Sequence, residues 1–460
     1  MAPALLKGVL IKHGFAANGI DLNAEVQAQI KKSPHRSSIV KFLTTEQVDP
    51  QALSDIHDIF EYMANRLLSY NTKWVGLSLL SYLSQVSTKW LCFLLKKKNP
   101  NVKIVIGGPG CFNSLIGVDS YVLELKSLKL IDNYIVGDGE NSLVELLKGN
   151  VKYPGINSSS WEEVSNLDNV AMPDYDEYDF SLYALKKVSI WGSRGCVRDC
   201  TFCDIHQHWN KFQWRSAESI FEEMKYQAEK YNINIYHFAD SLVNGNQKEY
   251  RKLIRLLADY NRDLPSDKKI RWSGYFIFRP KEQMKEEDWK YTAESGADIL
   301  SVGVESFVEH IRYHIKKYFS NQDLDYGLRM AKKYNIGIGL LMIVGYVTET
   351  EQDQIEQIQW LYDNKDYANN PVKYIQAGST LGILPGTWLY QNQKELGLEL
   401  SGDVYQDWTI KETNSTPMLR LQWARNMEQA IKDTGFVYHN EKDNHSLIES
   451  YIESKYAKSN

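Results

Sequence analysis

The residues best suited to chemistry lie in one run, Cys196-Val197-Arg198-Asp199-Cys200-Thr201-Phe202-Cys203, which holds three of the five cysteines in a chain of 460 residues. Three thiolates this close suit a [4Fe–4S] cluster, holding three irons and leaving the fourth open to a cofactor or substrate. A zinc site competes, because His206 follows Cys203 by three residues and would complete a Cys3His set. Structural zinc usually takes two separated ligand pairs, and the chain offers no second cysteine pair. A disulfide fits poorly with an odd cysteine count and no recognisable secretory signal. Cys92, on an apolar helical stretch, and Cys111, after Gly-Gly-Pro-Gly, read as small buried hydrophobes.

Further candidates recur where apolar runs end. Asp240, in Phe238-Ala239-Asp240-Ser241, is suited to accept from an ammonium, and Arg279, in Phe278-Arg279-Pro280, to pair with a carboxylate. Glu305, in Gly303-Val304-Glu305-Ser306, follows Ile, Leu and Val and needs a polar partner if buried. Gly345, in Ile343-Val344-Gly345-Tyr346, permits a close backbone approach. His206 and His208 read as loop histidines with ordinary hydrogen bonds, or as proton donors.

These candidates need strands to position them. Trp74 to Leu80, Lys103 to Ile106 and Asn133 to Val136 read as strands, with helices over Gln51 to Leu68 and Thr88 to Lys97 between or before them. Strands alternating with helices predict a parallel, Rossmann-like doubly wound domain over residues 1–150, with ligands at the glycine-bearing carboxyl ends of its strands. The acidic, proline-bearing stretch 151–185 reads as a linker. Six further strands follow: Val188 to Trp191, Ile233 to Phe238, Ile270 to Phe278, Ile299 to Val304, Gly337 to Val344 and Tyr374 to Leu381. With helices between them they predict an α/β, partial (β/α)6 TIM-type barrel over 186–400, whose active site lies at the carboxyl ends of the strands. Residues 401–460 read as a helical C-terminal extension ending in a polar tail.

Bulk properties set the outer limits. Net charge is −5, hydrophobic content 43% and charged content 24%, and the lysine runs are short. This is the composition of a globular protein without a strong nucleic-acid signature. No apolar run reaches membrane-span length, which makes the cytoplasm the expected compartment.

Gly192-Ser193-Arg194-Gly195-Cys196 through Cys203 resembles the Cys-x3-Cys-x-aromatic-Cys signature of the radical S-adenosylmethionine (SAM) superfamily. Arg-Gly before the first cysteine is similar to the subgroup with an N-terminal cobalamin-binding-like domain. Val75 to Ser81, Ile106-Gly107-Gly108-Pro109 and Val136-Gly137-Asp138-Gly139-Glu140 resemble that domain's successive strand ends.

The resemblance implies metal ligation by Cys196, Cys200 and Cys203, and a SAM site drawing on Phe202, Asp240, Arg279, Glu305, Ser306 and Gly345. It implies a [4Fe–4S] cluster and SAM as cofactors, with cobalamin as a third candidate, and reductive cleavage of SAM followed by hydrogen abstraction, methyl transfer or rearrangement. Its partners would be a small-molecule or peptide substrate and an electron donor such as flavodoxin or ferredoxin. The alternatives are a cobalamin-free enzyme acting on a nucleoside or tRNA, and a zinc-stabilised scaffold. The sequence departs from the family in three places. The Asp-x-His-x-x-Gly cobalamin motif is absent. Lys317-Tyr318-Phe319-Ser320 has tyrosine where the family has glycine. Val347-Thr348 replaces Pro-Gly.

Overall fold

In the computed structural model, residues 2–113, 117–377, 381–401 and 407–439 are described. The chain divides into two units, Met1–Ala184 and Leu185–Asn460.

Unit 1 begins with helices, not strands. Ala2–Lys12, Leu22–Ile30, Arg36–Thr45 and Leu53–Leu68 precede a parallel sheet of β1 (Trp74–Ser78), β2 (Lys103–Gly107) and β3 (Asn133–Ile135), in that order. The apolar run Val9-Leu10-Ile11 lies within the first helix. Strand alternation divides the burial between two faces. Ile104 and Ile106 of β2 join Ile56, Phe60 and Leu95 in one core, whereas Val105 joins Ile135, Leu146 and Ile156 in another.

The stretch read as a linker is built into this unit. The Val136 N–H donates to the Gly155 carbonyl at 3.0 Å and the Asn157 N–H to the Tyr134 carbonyl at 3.0 Å. Farther on, the buried Lys7 ammonium reaches Asp174 at 2.6 Å and Glu177 at 2.5 Å. Its acidic residues made the segment look solvent-loving, but two of them are the counter-charges of a lysine 167 and 170 positions away.

Unit 2 is built on β4 (Lys187–Ile190), β5 (Ile235–Phe238), β6 (Arg271–Phe276), β7 (Ala297–Glu305), β8 (Gly337–Met342), β9 (Val372–Gln376) and β10 (Tyr438–His439). All pair in parallel, in the order β10-β9-β8-β7-β6-β5-β4. The first six are the strands read from the sequence, although part of the last expected span (378–380) lies outside the described residues. The seventh comes from the region read as a helical extension. That region does carry the helix Pro417–Asp433, but also the strand Trp408–Ile410, which pairs antiparallel with Leu398–Leu400 at the end of the span read as the barrel.

The crossover helices start where side-chain caps satisfy free N–H groups. Ser320 and Thr350 form capping boxes with Asp323 and Asp353, and Ser216 and Asn246 cap the helices Ala217–Tyr231 and Gln247–Asn261.

Candidate functional site

Every residue that the sequence placed at the end of a strand in unit 2 lies at or just beyond a carboxyl end. The cysteine loop follows β4 and its short extension Ser193–Arg194. Cys200 is buried, Cys196 and Cys203 half-buried. The loop is held from both sides, with the Thr201 N–H donating to the Ile315 carbonyl at 3.2 Å and the Leu389 N–H to the Thr201 carbonyl at 3.0 Å. Burial pushes the Cys200 thiol up to about 11, with the neighbouring Lys317 charge opposing and Cys203 and Cys196 adding to it. The three thiols thus share one electrostatic neighbourhood.

Among the described residues no three His, Cys, Asp or Glu side chains pinch together on a single-ion site. His206, the residue that would complete a zinc set, is exposed, with its Nε2 2.8 Å from the Arg198 carbonyl oxygen. Three thiols along one loop, with His206 engaged by the Arg198 carbonyl, suit a multi-iron cluster with an open position.

Beside them lies a buried ion pair that sequence reasoning only half recovered. Glu305, at the end of β7, meets the Lys317 ammonium at 2.9 Å. Burial works to lower the lysine's proton affinity, and the Glu305 carboxylate overcomes it, so the net shift is upward. Gly303 leaves room for this pair, because a Cβ at that position would meet both Glu305 Oε1 and Lys317 Nζ. Tyr318 carries φ 49° and Glu305 φ 64°, the left-handed region. Both residues therefore hold a conformation that L side chains rarely adopt, and Lys317 reaches Glu305 along this backbone path.

The remaining motif residues divide between lining and bracing. Asp240, 3% exposed, accepts from the Gly192 N–H at 2.8 Å and from the Ser193 hydroxyl at 2.5 Å. Burial pushes its carboxyl up to about 6 against those two bonds. It fixes the turn that launches the cysteine loop. The Ser306 hydroxyl donates to Gln357 Oε1 at 3.3 Å and accepts from the Val308 N–H at 3.1 Å. Arg279 donates to the Asn244 carbonyl at 2.9 Å, and burial followed by repulsion from Arg198 brings its guanidinium down to about 10. Phe202 packs with Cys203 and Trp388 against the apolar cluster of Cys200, Tyr346 and Val347. Gly345, with φ 79°, is covered by the Arg420 side chain of the last helix.

Three bracing residues were not read as site residues, although Tyr346 and Glu349 lie in the motif segment Ile343 to Thr350. The Tyr346 hydroxyl lies 2.7 Å from Thr201 Oγ1 and 2.9 Å from His314 Nδ1, tying the loop after β8 to the cysteine loop. Glu349 accepts from the Gly345 and Tyr346 N–H groups, at 2.5 and 2.8 Å, and from Gln354 and Gln357. Burial nevertheless pushes its carboxyl up to about 8. Arg312, wholly buried, donates to the Ser306 carbonyl at 2.8 Å and to the Phe319 carbonyl at 3.2 Å, joining the end of β7 to the segment that bears Lys317.

Residues 192–361 match the model of the Radical SAM superfamily. The matched segment spans 170 of the 460 residues and contains the cysteine loop and the Glu305–Lys317 pair. An uncharacterized methyltransferase of Pyrococcus horikoshii is 24% identical over 350 residues, 72% of this chain and 70% of that protein. The radical SAM methyltransferase TsrM of Kitasatospora setae, solved with tryptophan substrate and a SAM analog, superposes with a TM-score of 0.63 at 15% identity over 96% of this chain and 87% of that one. The cobalamin-dependent SAM radical enzyme OxsB, solved with aqua-cobalamin, superposes at 0.59 and 16% identity over 86% of this chain and 64% of that one. These superpositions establish the shared fold.

In unit 1 the strand-end glycines differ: Gly107 and Gly139 have only ordinary van der Waals neighbours, whereas Gly108 and Gly137 are closely approached. A Cβ at Gly108 would strike the Leu79 carbonyl, and one at Gly137 would overlap the Trp161 indole. His57, in the superficially motif-like Asp55-Ile56-His57-Asp58, is an exposed residue of the helix Leu53–Leu68. Among the described residues the segment before β1 is helical.

Proposed function

We propose that this chain is a radical SAM methyltransferase acting on a small molecule or peptide. The observation that carries the reading is the placement of three thiols and the Lys317–Glu305 pair together at the carboxyl ends of one open parallel barrel. Cys196, Cys200 and Cys203 would hold a [4Fe–4S] cluster, which supplies, when bound, one electron to the sulfonium of SAM from an external donor of the flavodoxin or ferredoxin type.

The chain's own contribution is positioning and charge. Lys317 and Glu305 offer opposite charges within 2.9 Å of each other, matched to the carboxylate and ammonium that SAM itself carries. Phe202 and the buried Tyr346 face supply apolar cover that keeps water from the thiols. Asp240 and Arg312 hold the two loops in register and have their own acceptors and donors already engaged. Arg279 keeps a positive charge at the end of β6.

The names of the relatives favour methyl transfer over rearrangement. Cobalamin, which the solved neighbour OxsB holds, is a third candidate cofactor here, and no step is assigned to it. Anaerobic reconstitution with iron and sulfide, followed by reduction with SAM, tests the reading. It predicts a brown chromophore and 5′-deoxyadenosine or S-adenosylhomocysteine as product. A protein that takes up zinc instead and leaves SAM intact would refute it.

A further inference from the structure

The outer face of the barrel wall is apolar and covered by helices. The Tyr236 hydroxyl donates to the Met224 carbonyl at 2.8 Å, Phe238 stacks edge-on with Trp272 at 5.6 Å, and Phe276 meets Tyr250 at 5.7 Å. Alternation along β5, β6 and β7 turns His237, Ser273, Tyr275 and Ser301 to the opposite, inner face. Register places them side by side: His237 opposite Ser273, Tyr275 opposite Ser301, and Ser301 opposite Gly339, which in turn faces Tyr374.

The contacts join these residues into one surface. His237 Nδ1 lies 3.0 Å from Ser273 Oγ, and its ring stands edge-on to Tyr275 at 6.4 Å. Tyr374 crosses over Gly339, where a Cβ would overlap its ring, to bring its hydroxyl 2.8 Å from Ser301 Oγ.

Tyr275 is the telling residue. It sits on β6, paired with strands on both sides, yet is 46% exposed. A side chain at the middle of a sheet is open only if the face it occupies borders an unfilled space. Along β7 that space leads upward from Ser301 to Gly303, about 7 Å on, where the Glu305–Lys317 pair lies.

We propose that this inner wall is the substrate-recognition surface, and that it takes a neutral, flat heteroaromatic group stacked on Tyr275 and hydrogen-bonded by His237, Ser301 and Tyr374. The assignment rests on the radical SAM reading of the cysteine end. An exposed phenol ring offers a stacking face, and hydroxyls and an imidazole offer both donors and acceptors. Burial, helped by Lys187, brings His237 down to about 4, so at neutral pH it is an uncharged donor and acceptor. Of the charges that border the wall, Arg271 is paired with Asp298 at 3.0 Å, and Glu305 and Lys317, 2.9 Å apart, are the two assigned above to SAM and not to the substrate. A charged substrate group would lose its hydration there and gain no counter-ion.

Equilibrium dialysis of the full-length, anaerobically reconstituted protein against four probes tests this: indole and quinoline, both neutral heteroaromatics, and benzoate and benzylammonium. Indole and quinoline are expected to bind at least about tenfold more tightly than either charged probe. Tyr275→Ala should weaken indole by up to about tenfold, the range of an aromatic pair, and Tyr275→Phe should restore it. Iron content and SAM binding should stay at wild-type levels in both variants. A charged probe binding as well as indole, no binding by any probe, or an unchanged Tyr275→Ala would overturn the assignment. Because these readouts are binding and not turnover, they stand apart from the reading beneath them, which fails instead if the wild-type protein takes up no cluster or does not cleave SAM.

Discussion

Two parallel sheets in this chain end in glycine-rich turns, and their ends differ in what fills them. In unit 1 the space beside Gly108 and Gly137 is taken by Leu79 and the Trp161 indole. In unit 2 the space beside Gly303 is taken by the Glu305 carboxylate and the Lys317 ammonium, next to three thiols. A glycine at a strand end therefore reports only that something approaches closely. What approaches decides whether the end is core or site, because an apolar side chain gains by exclusion from water whereas a buried ion pair is costly unless function retains it.

The largest expected effect tests the cysteine end. Changing any of Cys196, Cys200 or Cys203 to Ala should abolish the iron–sulfur chromophore and SAM cleavage. Cys92→Ala and Cys111→Ala should retain both, since burial pushes each of those thiols up to about 12 and leaves them inert in the unit 1 core. Iron and sulfide analysis with absorbance spectra reads the result.

The ion pair comes next. Lys317→Met leaves Glu305 buried without its counter-charge and should cost about 3–5 kcal/mol in denaturant unfolding, much of it regained in the Lys317→Met, Glu305→Leu double variant. Glu305→Ala should also weaken SAM binding by about 1–3 kcal/mol, the loss of a charge-assisted hydrogen bond. Equal stability of the single and double variants would mean the pair is not closed in solution.

At the unit 1 end, Trp161→Ala should cost up to about 3 kcal/mol of stability as the cover over Gly137 is lost. The same variant should retain more hydroxocobalamin after desalting than the wild-type protein. Greater retention by the wild type would show that the filled edge is the ligand-ready form and would erase the contrast between the two sheets.

The smallest effect is in pH. Glu349 rises from 4.5 to about 8 in the folded chain. Its contribution is fully present below pH 4.5 and is lost as pH rises through 8, because the native state holds the proton longer than the unfolded chain. Unfolding midpoints between pH 4.5 and 8 should decline more steeply for the wild type than for Glu349→Gln.

The strands and the cysteine loop were legible because both are local. Six barrel strands emerge from apolar runs four to nine residues long, and three thiols within eight residues mark a metal-ligating loop by spacing alone. Tertiary structure alone decided the rest. Asp240 looked like a cofactor ligand, and in the fold both its oxygens brace the Gly192-Ser193 turn. Lys317 looked doubtful, and Tyr318 turned out to hold the left-handed backbone that brings it to Glu305. The acidic stretch that resembled a linker is pinned by Lys7 from the first helix. In each case the deciding partner lies far away along the chain. Periodicity and spacing report which face a residue occupies, but which charge or ring it meets there is set by packing between segments distant in sequence.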